Sequence, residues 1–119
     1  MTGPTFVFLV IAEDGVSHEH RHRMTDRDTI DEIVRAALGG WLEHIPVTDP
    51  TLTLWCHEEG HLRGRAVNPV GSRLAALLGG GPAVYAGPIV VTGNHRHTTV
   101  SLTEQQIEHL LAALRLCQG

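Results

Sequence analysis

The chain has 119 residues, 42% apolar and 18% charged, which suits one globular domain with a single packed core and excludes a disordered chain. All nine basic side chains are Arg and none is Lys, so a Schiff-base lysine, pyridoxal chemistry and a Walker-type phosphate loop are excluded. A formal net charge of −4 argues against general binding to nucleic-acid backbones, and the longest apolar run, Phe6 to Ala12, falls far short of the roughly 20 residues a membrane helix needs.

Thr5 to Ala12 is dense in β-branched and aromatic residues and reads as a central strand, apolar on both faces. Asp14 and Gly15 make a turn into Val16 to Met24. There alternation places Val16, His18, His20, His22 and Met24 on one face and Ser17, Glu19, Arg21 and Arg23 on the other. Thr29 and Glu32 have capping-box spacing, and Ile30, Ile33, Val34, Ala37 and Leu38 recur with helical period, so a helix runs from about Thr29 to Leu38 and stops at Gly39 and Gly40.

Trp41 to Val47 reads as a short strand ended by Pro46. Leu52 to His57 alternates as a strand, with Glu58, Glu59 and Gly60 reversing the chain into a partner at His61 to Val67. Asn68 and Pro69 start a short helix over Val70 to Leu78, followed by Gly79, Gly80 and Gly81. Ala86 to Thr92 is another apolar strand, Gly93 and Asn94 begin a turn, and Thr98 to Leu102 returns. Thr103 and Gln106 then repeat the capping box ahead of a helix to about Leu116. Hairpins dominate this order. The expected fold is α+β, a mostly antiparallel sheet with two main helices and one short helix packed on one of its faces.

From Gly39 onward the order of features resembles a small family catalogued as domain of unknown function number 3846, found in phage, plasmid and actinobacterial gene sets. The pieces are Gly-Gly-Trp-Leu-Glu at 39–43, Glu-Glu-Gly-His-Leu-Arg-Gly at 58–64, Val-Asn-Pro at 67–69, Gly-Pro-Ile-Val-Val-Thr-Gly at 87–93 and Ser-Leu-Thr-Glu-Gln-Gln at 101–106. The resemblance implies a compact α+β domain and brings no assigned reaction. The histidines at 18–22 and the His95 and His97 pair lie outside its pattern.

His18, His20 and His22 share a strand face with alternate side chains roughly 7 Å apart, the candidate metal ligands. Zinc would want further donors from Cys56, His57, His61, His95 or His97; a His-rich surface strand is the simpler account. Cys56 and His57 point to opposite faces and cannot act as nucleophile and base together. Cys56 and Cys117 lack C-x-x-C spacing and read as free thiols, at least one of them buried. Ser17, Ser72 and Ser101 lack a nucleophile elbow. Glu58 and Glu59 read as a solvated turn, and Gly79 to Pro82 as a connector, since a phosphate site would open a helix rather than follow one. His61, Arg63 and Arg65 share one face and, with Asn68, form the candidate ligand- or partner-binding set.

No nucleophile or organic-cofactor motif is present. The expectation is therefore a cytoplasmic, non-enzymatic accessory or interaction module of phage or mobile-element type, binding a protein partner or a small nucleotide-like ligand. The alternative is a histidine-based metal protein or metal-dependent enzyme, with a transition metal such as zinc. Exposed strand edges near Val16 or Trp41 further suggest a homodimer. With imidazoles titrating near about 6.5, protonating all nine His would carry the formal charge from −4 to +5.

Overall fold

The apolar run at the start of the chain becomes the strand around which two layers of helix are built. The computed structural model describes residues 4–57 and 64–118. In chain order the elements are β1 (Thr5–Ile11), β2 (Ser17–Arg23), α1 (Ile30–Leu38), β3 (Leu42–Ile45), β4 (Leu52–His57), α2 (Pro69–Leu77), β5 (Ile89–His95), β6 (Thr98–Val100) and α3 (Glu104–Cys117). The described strands form one antiparallel sheet in the order β2-β1-β5-β4-β3, with β6 paired to β5. None of the helices is long and apolar enough to cross a membrane.

Strand alternation sends the two halves of β1 to opposite sides. Phe6, Phe8 and Val10 meet Trp55, Val90 and the Val34 and Leu38 face of α1. Val7, Leu9 and Ile11 meet Leu54, Cys56, Ile89 and Val91, covered by Leu74 of α2 and Ile107, Leu110 and Leu114 of α3. Helices therefore cover both faces of the sheet, which corrects the sequence expectation of helices on one face only. A central strand apolar on both sides must be covered on both sides, and that physical demand sets the layer count.

The helix ends follow the local chemistry. Thr29 caps α1 by accepting from Glu32 N–H, and Gly39 closes it in the left-handed conformation at φ 81°. Thr103 and Gln106 form a reciprocal capping box at the start of α3. Arg73 donates to the Cys117 carbonyl at 2.8 Å, holding the end of α3 to α2.

Two boundaries differ from the sequence reading. The partner of β4 was expected at His61 to Val67, but both edges of β4 are occupied, by β3 and β5. Residues 61–63 lie outside the described residues, and Val67 makes only an isolated bridge to Ala86. The turn expected at Gly93 and Asn94 falls later, at Arg96 and His97. Gly93 continues β5 because the backbone of Ser101 passes so close that a Cβ there would stand 2.5 Å from its carbonyl oxygen, and the Asn94 amide donates to Pro50 O at 2.9 Å. Arg96 and His97 both take positive φ, 50° and 68°, the conformation of a two-residue hairpin turn that favours Asn-Gly. Replacing Arg96-His97 by Asn-Gly should raise unfolding stability by about 1 kcal/mol in a denaturant melt.

Candidate functional site

The ends of β1 and β4 and the start of β5 bring together residues that are far apart in sequence. Asn68 organises this end of the sheet. It is completely buried; its side-chain nitrogen donates to Ile11 O and Gly87 O, both at 2.9 Å, and its oxygen accepts from Gly71 N–H at 2.9 Å, capping α2. Its backbone N–H donates to Tyr85 O, and Gly87 N–H to Ala66 O, so the segments 66–68 and 85–87 run together.

Arg65 leaves this junction and lies against two glycines. A Cβ on Gly87 would stand 2.9 Å from Arg65 Cδ, and a Cβ on Gly39 would collide with the guanidinium. The cation thus rests at the C-terminal end of α1, where the helix dipole favours positive charge. Ion pairs among the described residues join Arg21 to Glu19, His22 to Asp28 and Arg35 to Asp31; Arg65 takes part in none of them. An open cleft of about 420 Å³, lined by Ala12, Glu13, Asp14, Arg65 and Pro88, lies in front of it, within the size range of small-ligand sites. Next to it His57 is buried against Gly40, whose Cβ position its imidazole fills. The Arg35 guanidinium lies 4.5 Å from the exposed Trp41 ring.

The second polar feature is the histidine face of β2. His22, His20 and His18 stand opposite Phe6, Phe8 and Val10 of β1, on the α1 side of the sheet. His20 stacks on Phe8 with ring centroids 5.0 Å apart. His22 Nε2 is 3.5 Å from Asp28 Oδ2. Bonds from the Thr25 N–H and hydroxyl hold the Asp28 carboxyl below the usual carboxylate range. All three histidines are exposed, and among the described residues no group of three His, Cys, Asp or Glu is placed to hold a metal ion.

The thiols and hydroxyls are used in packing. Cys56 and Cys117 are free and buried. Burial, with the nearby Glu43 charge adding to it, pushes the Cys56 thiol up to about 11, and burial raises Cys117 as well. Ser72 Oγ accepts from Tyr85 N–H, while Ser101 Oγ accepts from Val7 N–H and donates to Thr5 O.

Of the expected binding set, Arg65 reaches a cleft. His61 and Arg63 lie outside the described residues, as do Glu58 and Glu59. Asn68 has no surface to offer a ligand and all its amide atoms are engaged, so its role is to build the site and not to bind. In the sequence Asp14 reads only as part of a turn with Gly15; that it and Glu13 share a cleft with Arg65 depends on how the chain folds back.

A two-faced antiparallel sheet with one helix on one side and two on the other defines an α+β domain whose scattered glycine and Asn-Pro pieces converge at one end. The chain belongs to the family described as domain of unknown function DUF3846, whose model matches residues 8–115. A search of curated proteins and a search of solved structures each gave no match.

Two outcomes follow from this geometry. Asn68→Ala should lower unfolding stability by roughly 3 kcal/mol, because buried carbonyls and an N–H lose their partners; chemical denaturation measures it. In the native protein at pH 8 neither thiol should react with a disulfide reagent within minutes, and both should appear on unfolding, as a thiolate is required for attack.

Proposed function

We propose that this chain is a non-enzymatic, cytoplasmic accessory module of a phage or mobile-element gene set, and that it binds a small nucleotide-like ligand in the cleft in front of Arg65. The observation that carries the reading is Arg65 itself, fixed against Gly39 and Gly87 with no ion-pair partner among the described residues. A guanidinium held in place but uncommitted suits a phosphate, which it can grip through two parallel N–H donors. Glu13 and Asp14 line the same cleft and accept hydrogen bonds from hydroxyl or amino groups, the other half of a nucleotide's chemistry. Buried high-pKa thiols and structurally engaged serines favour binding over catalysis.

The reading is tested by thermal shift with a panel of nucleoside mono-, di- and triphosphates beside inorganic phosphate. At least one nucleotide should raise the melting temperature, and Arg65→Ala should weaken its binding by about tenfold or more, the usual effect of losing a charge-assisted hydrogen bond. If no nucleotide acts but a lysate pull-down recovers a protein whose retention depends on Arg65, the ligand is a protein partner. If neither occurs, the reading fails.

A further inference from the structure

β2 stands at the edge of the sheet, with β1 on one side and no described strand on the other. Its backbone groups divide by parity. Met24 N–H donates to Pro4 O and Ala12 N–H to Val16 O, both at 2.9 Å, and both pairs extend the register in which Phe8 faces His20. Hydrogen-bonded and non-hydrogen-bonded pairs alternate along an antiparallel ladder. The even-numbered residues of β2 therefore direct their N–H and C=O to β1, and Ser17, Glu19, Arg21 and Arg23 direct theirs away from the sheet.

We propose that a second copy of this chain pairs with β2, antiparallel and centred on His20, and that the histidines of the two copies together hold a transition-metal ion such as zinc. Centred there, Glu19 lies opposite the partner's Arg21, and Arg21 opposite the partner's Glu19. These are the residues whose backbone groups point outward, so each pair is hydrogen-bonded as well as oppositely charged, and opposite charges directly across a ladder stabilise it. Centring on either neighbour would set Glu19 against the partner's Glu19, or Arg21 against the partner's Arg21. The charges thus select His20 as the centre, with the same surface used by both copies.

On the other face of the same ladder His20 meets the partner's His20, and His18 meets the partner's His22. All are non-hydrogen-bonded pairs, in which Cα atoms approach to about 4.5 Å and side chains come closest. Two imidazoles so placed can share one ion at nitrogen–zinc distances of about 2.0–2.1 Å, and imidazole suits zinc, copper and nickel. Three features of a single copy fit this assembly. α1 packs over β5 and β3, leaving a groove of about 420 Å³ beside the histidines, lined by Phe8, His20, His22, Asp28 and Glu32 among others. Stacking on Phe8 orients the His20 ring. Asp28 stands at His22 Nε2, the carboxylate–histidine arrangement that orients a ligand ring and frees Nδ1 for the metal. One copy supplies no group of three donors among the described residues; the second copy completes the set.

The test is sedimentation equilibrium on tag-free full chain, in EDTA and in zinc sulfate. The chain should dimerise in both, with a dimer Kd at least about tenfold lower in zinc. Glu19→Arg should raise the Kd by about tenfold, since like charges then face each other, and the double variant Glu19→Arg with Arg21→Glu should restore it. His20→Gln should keep the zinc-free dimer and lose the zinc effect. Arg21→Pro removes an outward N–H together with the charge that faces the partner's Glu19, and should give a folded monomer; if that variant is unfolded by circular dichroism, the charge-reversal pair decides. A chain that stays monomeric at high micromolar concentration in zinc overturns the proposal. So does a dimer indifferent to zinc or to charge reversal at Glu19, or a zinc effect that survives His20→Gln.

Discussion

The side-chain amide of Asn68 joins the end of β1, the start of β5 and the first turn of α2. Each group it satisfies is a backbone atom in a region closed to water, where polar groups must be paired, and Gly71 N–H lies in the first turn of α2, where no helical partner exists. Asn suits the position because one compact side chain offers two N–H donors and an acceptor. Aspartate would bring charge and no donor; leucine would bring neither. By fixing α2 against the sheet and holding residues 66–68 beside 85–87, this amide also sets the point from which Arg65 departs toward Gly39.

The sheet it anchors shows how far pattern alone can go. Capping chemistry is local, so Thr29, Gly39, Asn68 and Thr103 mark their helices in the sequence to within a residue or two. The alternation of His and charged residues over 18–23 likewise fixes which side chains share a face. Layering is less local. TFVFLVIA announces a strand apolar on both sides, yet which helix covers which face is decided by how α1 and α3 pack. The displaced turn has a similar cause: Gly93 looks like a turn residue, and only the close passage of Ser101 reveals that it permits a backbone contact inside a strand.

The candidate site was legible in part for the same reason. The sequence places Arg65 in a basic stripe with His61 and Arg63. That its guanidinium lies between Gly39 and Gly87, facing Glu13 and Asp14, depends on contacts spanning dozens of positions. Asn68 was visible as a helix start but not as a buried junction, because its partners Ile11 and Gly87 contribute backbone carbonyls, which carry no sequence signature. The histidines of β2 were visible as a shared face. Their relation to the free edge required the hydrogen-bond parity of the β1–β2 ladder.

The two edges of the sheet are unlike, and this governs how the fold can grow. β2 is seven residues long, and Ser17, Glu19, Arg21 and Arg23 turn their backbone groups outward; β3 is only four residues long and runs directly into Pro46, which has no N–H to donate. Joining β2 of one molecule to β3 of the next would be a head-to-tail contact, able to propagate without end into a fibre. The short, proline-ended β3 is a poor match for that role. Strand addition is thus confined to one side of the molecule, and a sheet that can extend at only one side closes after a single step.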